Sequence, residues 1–141
     1  MGGAARLFVY LVIVFHVLAF VAEALLWMNP AIYAPAISKL NSGLQASALD
    51  QAAILQTLFI NQGFYNLFLA LGGLTGLVLI RRGSHTAGEA LVCYCCAFAV
   101  CAGIVLLLTT KAYAGFALQT GLGATALALM YRDHLRRQSA Q

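Results

Sequence analysis

Polar side chains are sparse along this chain, and the gaps between them mark out four apolar runs, at about residues 7–28, 52–80, 87–108 and 113–130. Each run approaches or exceeds the ~20 residues that a helix needs to cross a hydrocarbon layer of about 30 Å. Apolar residues occupy all sides of each run rather than every second position, which is the pattern of membrane helices and not of barrel strands. The last run is the shortest and depends most on Tyr113 and Tyr131 as interfacial anchors. The chain therefore reads as all-α: a four-helix transmembrane bundle, one integral membrane domain over residues 1–141.

The connections add topology. One is long, Asn29 to Gln51, and is expected to be a loop on the outer side. Pro30 is expected to end the first helix and Pro35 to keep the next residues irregular, with a turn at Ile37–Leu40 lying at the interface. Ser47 and Asp50 suit the start of the second helix. The other two connections are short, so helices two, three and four are expected to be sequential antiparallel neighbours. An even number of spans puts Arg6, Arg81, Arg82, Arg132, Arg136 and Arg137 on one side and Lys39 and Lys111 on the other. Cytoplasmic segments carry the excess of basic residues, so both termini are expected in the cytoplasm and the protein in the bacterial inner membrane. Ala22-Glu23-Ala24 resembles a signal-peptide cleavage site, but apolar character runs on through Leu25-Leu26-Trp27 and cleavage would leave three spans. Arg6 stands where a myristoylation signal needs Ser or Thr.

Composition agrees with lipid as the solvent. The 141 residues are 62% hydrophobic and 9% charged, against roughly 45–50% and 25% in soluble domains, and mean hydropathy is +0.88. The net charge of +4 does not point to nucleic acid, because the arginines flank apolar runs instead of forming a basic face with interleaved aromatics. Cys93, Cys95, Cys96 and Cys101 fall in one run with no second ligand pair elsewhere, so they read as packing residues and not as a metal site. Gly72 and Gly76, Ala99 and Gly103, and Ala117 and Gly121 are small-residue pairs at the spacing that lets helices approach closely. They serve internal packing or a homo-oligomer equally well.

The polar residues inside the runs converge in depth. At about 1.5 Å per residue, Glu23 lies roughly 8 Å from the outer end of the first helix, with His16 two turns deeper on the same face. On the second helix Asn61 lies roughly 12–15 Å in, with Tyr65 and Asn66 near the middle. Asn61 and Tyr65 share one face, and Gln62 and Asn66 the adjacent one. Gln119 on the fourth helix falls roughly 10 Å from the outer side. Glu23, Asn61, Gln62 and Gln119 thus occupy one layer, with His16, Tyr65 and Asn66 just beneath it. The inner half offers only Glu89, close to the membrane edge. Three helices are expected to build one polar pocket, opening outward or laterally. The competing expectation is that these amides are hydrogen-bond glue between helices, worth about 0.6–2 kcal/mol each. Glu23 fits that less well, since a carboxyl in hydrocarbon is costly and functional by default.

Glu23-x-x-Leu26-Trp27-x-x-Pro30 followed by Asn61-Gln62-Gly63-Phe64-Tyr65-Asn66-x-Phe68-Leu69-Ala70 resembles a family of small bacterial and fungal integral-membrane proteins catalogued as domain of unknown function 1304. The resemblance covers most of the chain. It departs at Leu67, where the family has a small residue, and in extra residues before the second span. It implies four membrane helices and marks these positions as signatures, without assigning an activity.

The first functional expectation is an intramembrane enzyme acting on a lipophilic small molecule. Glu23 would give or take a proton, His16 would relay it and Tyr65 would polarise an oxygen, with Trp27, Asn61, Gln62, Asn66 and Gln119 holding the substrate. Isomerisation, cyclisation and epoxide opening fit such a site, and none needs a cofactor. His16 is the one histidine clearly inside a span, so bis-histidine heme ligation is unavailable. The alternatives are a non-catalytic lipid or small-solute binding or carrier protein, and a structural accessory membrane subunit whose polar set fixes helix register.

Overall fold

The computed structural model describes residues 1–40 and 43–139. They form a helical bundle: α1 (Gly3–Phe20), a π-helical turn (Val21–Leu25), then α2 (Pro30–Leu40), α3 (Ala48–Arg81), α4 (His85–Thr110) and α5 (Tyr113–Gln138). The four long helices pack as a ring in which α1 and α4 each lie against both α3 and α5. Three stretches are long and apolar enough to cross a membrane: Gly3–Leu25, α3 and α4. In α5 apolar character is diluted by Gln119, by glycines and threonines, and by the charged residues from Arg132 onward.

One end of the ring gathers the N-terminus of α1, the C-terminus of α3, the N-terminus of α4 and the C-terminus of α5. Charge fastens it. The Gly2 N–H donates to the Asp133 carboxylate at 2.6 Å, Arg137 pairs with Glu89 at 3.0 Å, and Arg81 donates to the Tyr10 hydroxyl at 3.0 Å. The Gly2 N–H holds the Asp133 carboxyl below the ordinary value of 3.8. Just inside this end lies an apolar core of Val9, Val12, Leu77, Ile80, Val92 and Cys96. Polar groups collect in the other half.

Close helix approach rests on small residues. Gly76 of α3 and Gly88 of α4 meet backbone to backbone, and a Cβ on Gly88 would stand 2.6 Å from the Gly76 carbonyl oxygen. Ala99 is fully buried and Gly103 faces Thr120 of α5, whereas Ala117 and Gly121 face outward.

The connection after α1 differs from the expected loop. Helical structure gives way at Leu25, before Trp27 and Met28, because the Leu26 N–H bonds back to the Val21 carbonyl and adds a residue to the turn. Pro30 does not end a helix but opens one, at the first helical position where its missing N–H costs nothing. Asn29 caps it, its Oδ1 accepting from the Ala31 N–H at 3.0 Å. Pro35 sits inside α2. The bond it forfeits is offset by burial of Tyr33 and Ile37 with Trp27 and Ala52. Residues 41 and 42 of this connection lie outside the described residues. Ser47 caps α3 as expected, its Oγ accepting from the Asp50 N–H at 3.1 Å. With 34 residues, α3 extends about 51 Å, well beyond a hydrocarbon layer, and α2 packs on it.

Candidate functional site

The site is organised by a glycine and a widened turn. Gly63 of α3 lies against Ala24 in the π-helical turn. A Cβ on Gly63 would stand 2.7 Å from the Ala24 Cβ and 2.8 Å from its backbone nitrogen. No side chain fits there, so the backbones touch. Three residues further along α3, on the same face, Asn66 meets the neighbour of Ala24: its Nδ2 donates to Glu23 Oε2 at 2.8 Å. π-Helical turns inside α-helices are uncommon and recur at functional sites. Here the turn brings a carboxyl and an amide together across a glycine contact.

A cavity of about 140 Å³ opens beside this pair. Its polar walls are Glu23, Gln62, Asn66 and Gln119, and Ala102 and Leu106 of α4 close it. All four long helices therefore contribute, one more than depth alone suggests. His16 stands behind the wall, almost fully buried. Its Nδ1 lies 2.7 Å from the Val12 carbonyl oxygen. A carbonyl can only accept, so this nitrogen carries a proton. Nε2 faces Gln119 Nε2 at 3.5 Å, a long contact in which the amide donates to a neutral ring. Glu23–Asn66 and Gln119–His16 are thus two polar pairs, drawn from the Gly3–Leu25 stretch, α3 and α5, with Glu23, Asn66 and Gln119 at one space and His16 behind it.

The remaining sequence candidates lie elsewhere. Asn61 is exposed on the outer face of α3. Tyr65 is 62% exposed and lines a groove of about 520 Å³ between α3 and α4, which it shares with Gln62 and Asn66. Trp27 lies in the cluster under α2, 3% exposed. It stacks on Phe59 at 3.5 Å between ring centroids, and its Nε1–H donates to the Ala52 carbonyl at 2.8 Å. That position braces the head of α3 and is not among the cavity walls. Trp27→Phe keeps an aromatic face and loses one hydrogen bond, about 1 kcal/mol. A thermal melt is expected to show a drop of about 3–5 °C, with the Glu23 pocket unaffected.

Phe15, Ala19, Ala102 and Leu106 line the cavity and carry no chemical signal in the sequence. Phe15 and Ala19 do stand eight and four residues before Glu23, on its helical face. Tyr94 and Phe98, four apart on one face of α4, line the groove; they are the legible trace of that surface.

A helical bundle with a part-buried carboxyl–amide pair beside a small cavity is the architecture that these residues define. Residues 10–131 match the family described as protein of unknown function (DUF1304), and the chain belongs to that family. No curated protein and no solved structure matches it.

Proposed function

We propose that the protein crosses the membrane four times, with both termini on the cytoplasmic side, and that the Glu23–Asn66 pair binds and acts on a lipophilic small molecule. The fourth crossing is α5. In support, the helix ends bearing Arg6, Arg81, Arg82, Arg132, Arg136 and Arg137 lie together, away from Lys39 and Lys111, as the positive-inside rule asks.

The observation that carries the chemical reading is the partnering of Glu23. Among the described residues its one hydrogen-bond donor is the neutral amide of Asn66, which engages Oε2 alone, and no cation pairs with it. Glu89, by contrast, is paired with Arg137. A carboxyl inside a bundle, without a counter-charge and facing free space, suits proton transfer better than structural bonding. The amides of Gln62, Asn66 and Gln119 face the same space and can hold a carbonyl, hydroxyl or epoxide oxygen. In isomerisation the carboxylate takes a proton from one carbon and the acid returns it to another. In epoxide opening the acid protonates the ring oxygen as the C–O bond breaks, and the carboxylate recovers a proton from the adjacent carbon or the attacking hydroxyl. Each cycle is proton-neutral and needs no co-reactant beyond water or the substrate itself.

The structural alternative has its own support, because Asn66 and Gln119 both have internal partners. Mass spectrometry of lipophiles co-purifying with the protein separates the two. Wild type is expected to retain a defined neutral lipophile, and Asn66→Leu to retain at least tenfold less. Retention unchanged in Asn66→Leu, with a lowered melting temperature, would establish helix register as the role of the pair.

A further inference from the structure

The cavity beside Glu23 is too small for a whole substrate. At about 140 Å³ it falls below the roughly 300–1,000 Å³ of pockets that enclose small-molecule ligands. It has room for a small polar head, so the rest of a lipophilic molecule must lie elsewhere. Two larger spaces adjoin it: one of about 430 Å³ shares Gln62, Ala102 and Leu106 with the cavity, and the groove between α3 and α4, about 520 Å³, is the one walled by four aromatic rings. Gln62 and Asn66 line both this groove and the cavity. Asn66 therefore bonds the carboxyl and also lines the groove, and Gln62, which is exposed, belongs to the walls of both spaces.

The groove's chemistry defines what it would hold. Its walls are mostly apolar, and the rings of Tyr65, Phe68, Tyr94 and Phe98 line it. These rings are exposed on the flank of the bundle, which faces lipid in the four-span reading. In lipid a groove gains nothing from hydrophobicity as such, because acyl chains are as apolar as its walls. It gains from shape and from aromatic faces. A rigid or unsaturated body is favoured over a saturated chain, since it gives up less conformational freedom on docking.

We infer that the α3–α4 groove is the lateral entry and body-binding subsite for the substrate of the Glu23–Asn66 pair. That substrate is an uncharged amphiphile with a rigid, unsaturated apolar body and a small oxygen-bearing head. The head passes Gln62 into the cavity while the body stays between the aromatic rings. The inference rests on the reading of the Glu23–Asn66 pair as a binding site.

The test uses the full chain in lipid nanodiscs with retinol as the probe, a rigid polyene carrying one hydroxyl. Fluorescence anisotropy is read against protein-free nanodiscs. Saturable binding is expected, with 1-hexadecanol displacing the probe only at concentrations at least tenfold above those at which retinol itself half-saturates the site. Leu91→Trp, which fills the groove from α4, is expected to weaken binding at least tenfold, as is Asn66→Leu from the inner end. Circular dichroism and gel filtration establish that both variants are folded. If Leu91→Trp binds normally while Asn66→Leu does not, the head site is entered by another route: the groove inference fails and the reading of the pair stands. If Leu91→Trp weakens binding and Asn66→Leu does not, the groove serves a lipid unconnected with the pair, and the inference fails. Absence of saturable retinol binding, or equal competition by hexadecanol, also overturns it, leaving a groove filled by bulk lipid.

Discussion

Replacing Glu23 by glutamine is expected to abolish turnover while sparing the fold. The glutamine carbonyl can still accept the hydrogen bond that Asn66 now gives to Oε2, and its size matches, so the π-helical turn and the Gly63 contact remain. What is lost is the exchangeable proton. General acid–base groups contribute about 10²–10⁴-fold, and conversion of the co-purifying lipophile should fall by that factor. Retention of the same lipophile should stay within about threefold, because the amides of Gln62, Asn66 and Gln119 are untouched. Unchanged turnover in Glu23→Gln would remove the carboxyl from the chemistry. A wild-type protein that retains its lipophile without converting it, and a variant that does the same, would make this a binding or carrier protein instead. Turnover and retention measured on one preparation keep those outcomes apart.

The second large effect is expected at Gly63, and it is structural. Gly63→Ala adds a methyl that would stand 2.7 Å from the Ala24 Cβ and 2.8 Å from its backbone nitrogen. Neither neighbour is a flexible side-chain end that can swing away, so α3 must move off the turn. Overpacking of this kind costs about 1–3 kcal/mol, and contact with backbone puts Gly63→Ala at the upper end. A fall in melting temperature of about 5–10 °C is expected. Separation of α3 from the turn also parts Asn66 from Glu23, so lipophile retention should fall with stability. Gly121→Ala is the matched control: it lies on a helix of the same bundle with nothing within 4 Å of the added methyl. There the gain in helix propensity, up to about 1 kcal/mol, is the main effect expected. Equal melting temperatures for Gly63→Ala and wild type would mean that α3 and the turn do not meet as closely as described.

The two predictions bear on one motif from different directions. In Asn61-Gln62-Gly63-Phe64-Tyr65-Asn66 the glycine sets the distance between helices, Asn66 partners the carboxyl, and Gln62 faces both cavity and groove. Asn61 and Tyr65 look the other way, one exposed on the outer face and the other lining the groove. Trp27, four residues from Glu23 in sequence, is carried off by the chain reversal after Leu25 and works instead as a brace for α3. Nearness in sequence was a poor guide there because the π-helical turn and the tight bend after it break the helical rule that relates spacing to direction. Pro35 misled for a related reason. Its local cost is real, but burial of Tyr33 and Ile37 outweighs it.

Depth was legible in the amino-acid sequence because helical rise is nearly constant. Counting residues from the ends of the apolar runs put Glu23, Asn61, Gln62 and Gln119 in one layer with His16, Tyr65 and Asn66 just beneath it, and hydropathy alone located the long helices. Rotation was not legible in the same way. Gln62–Asn66 and Asn61–Tyr65 are adjacent stripes on one helix, and both are polar, so polarity does not choose between them. Packing chooses. Between helices in lipid, contact is gained by close approach and not by hydrophobicity. The stripe of small residues Gly63, Asn66, Ala70 and Gly73 is therefore the one buried in the bundle, while Tyr65 and Phe68 turn outward. That rotation brings an amide to a carboxyl and leaves a groove of rings beside them, and it exists only once α1, α3 and α4 are packed together.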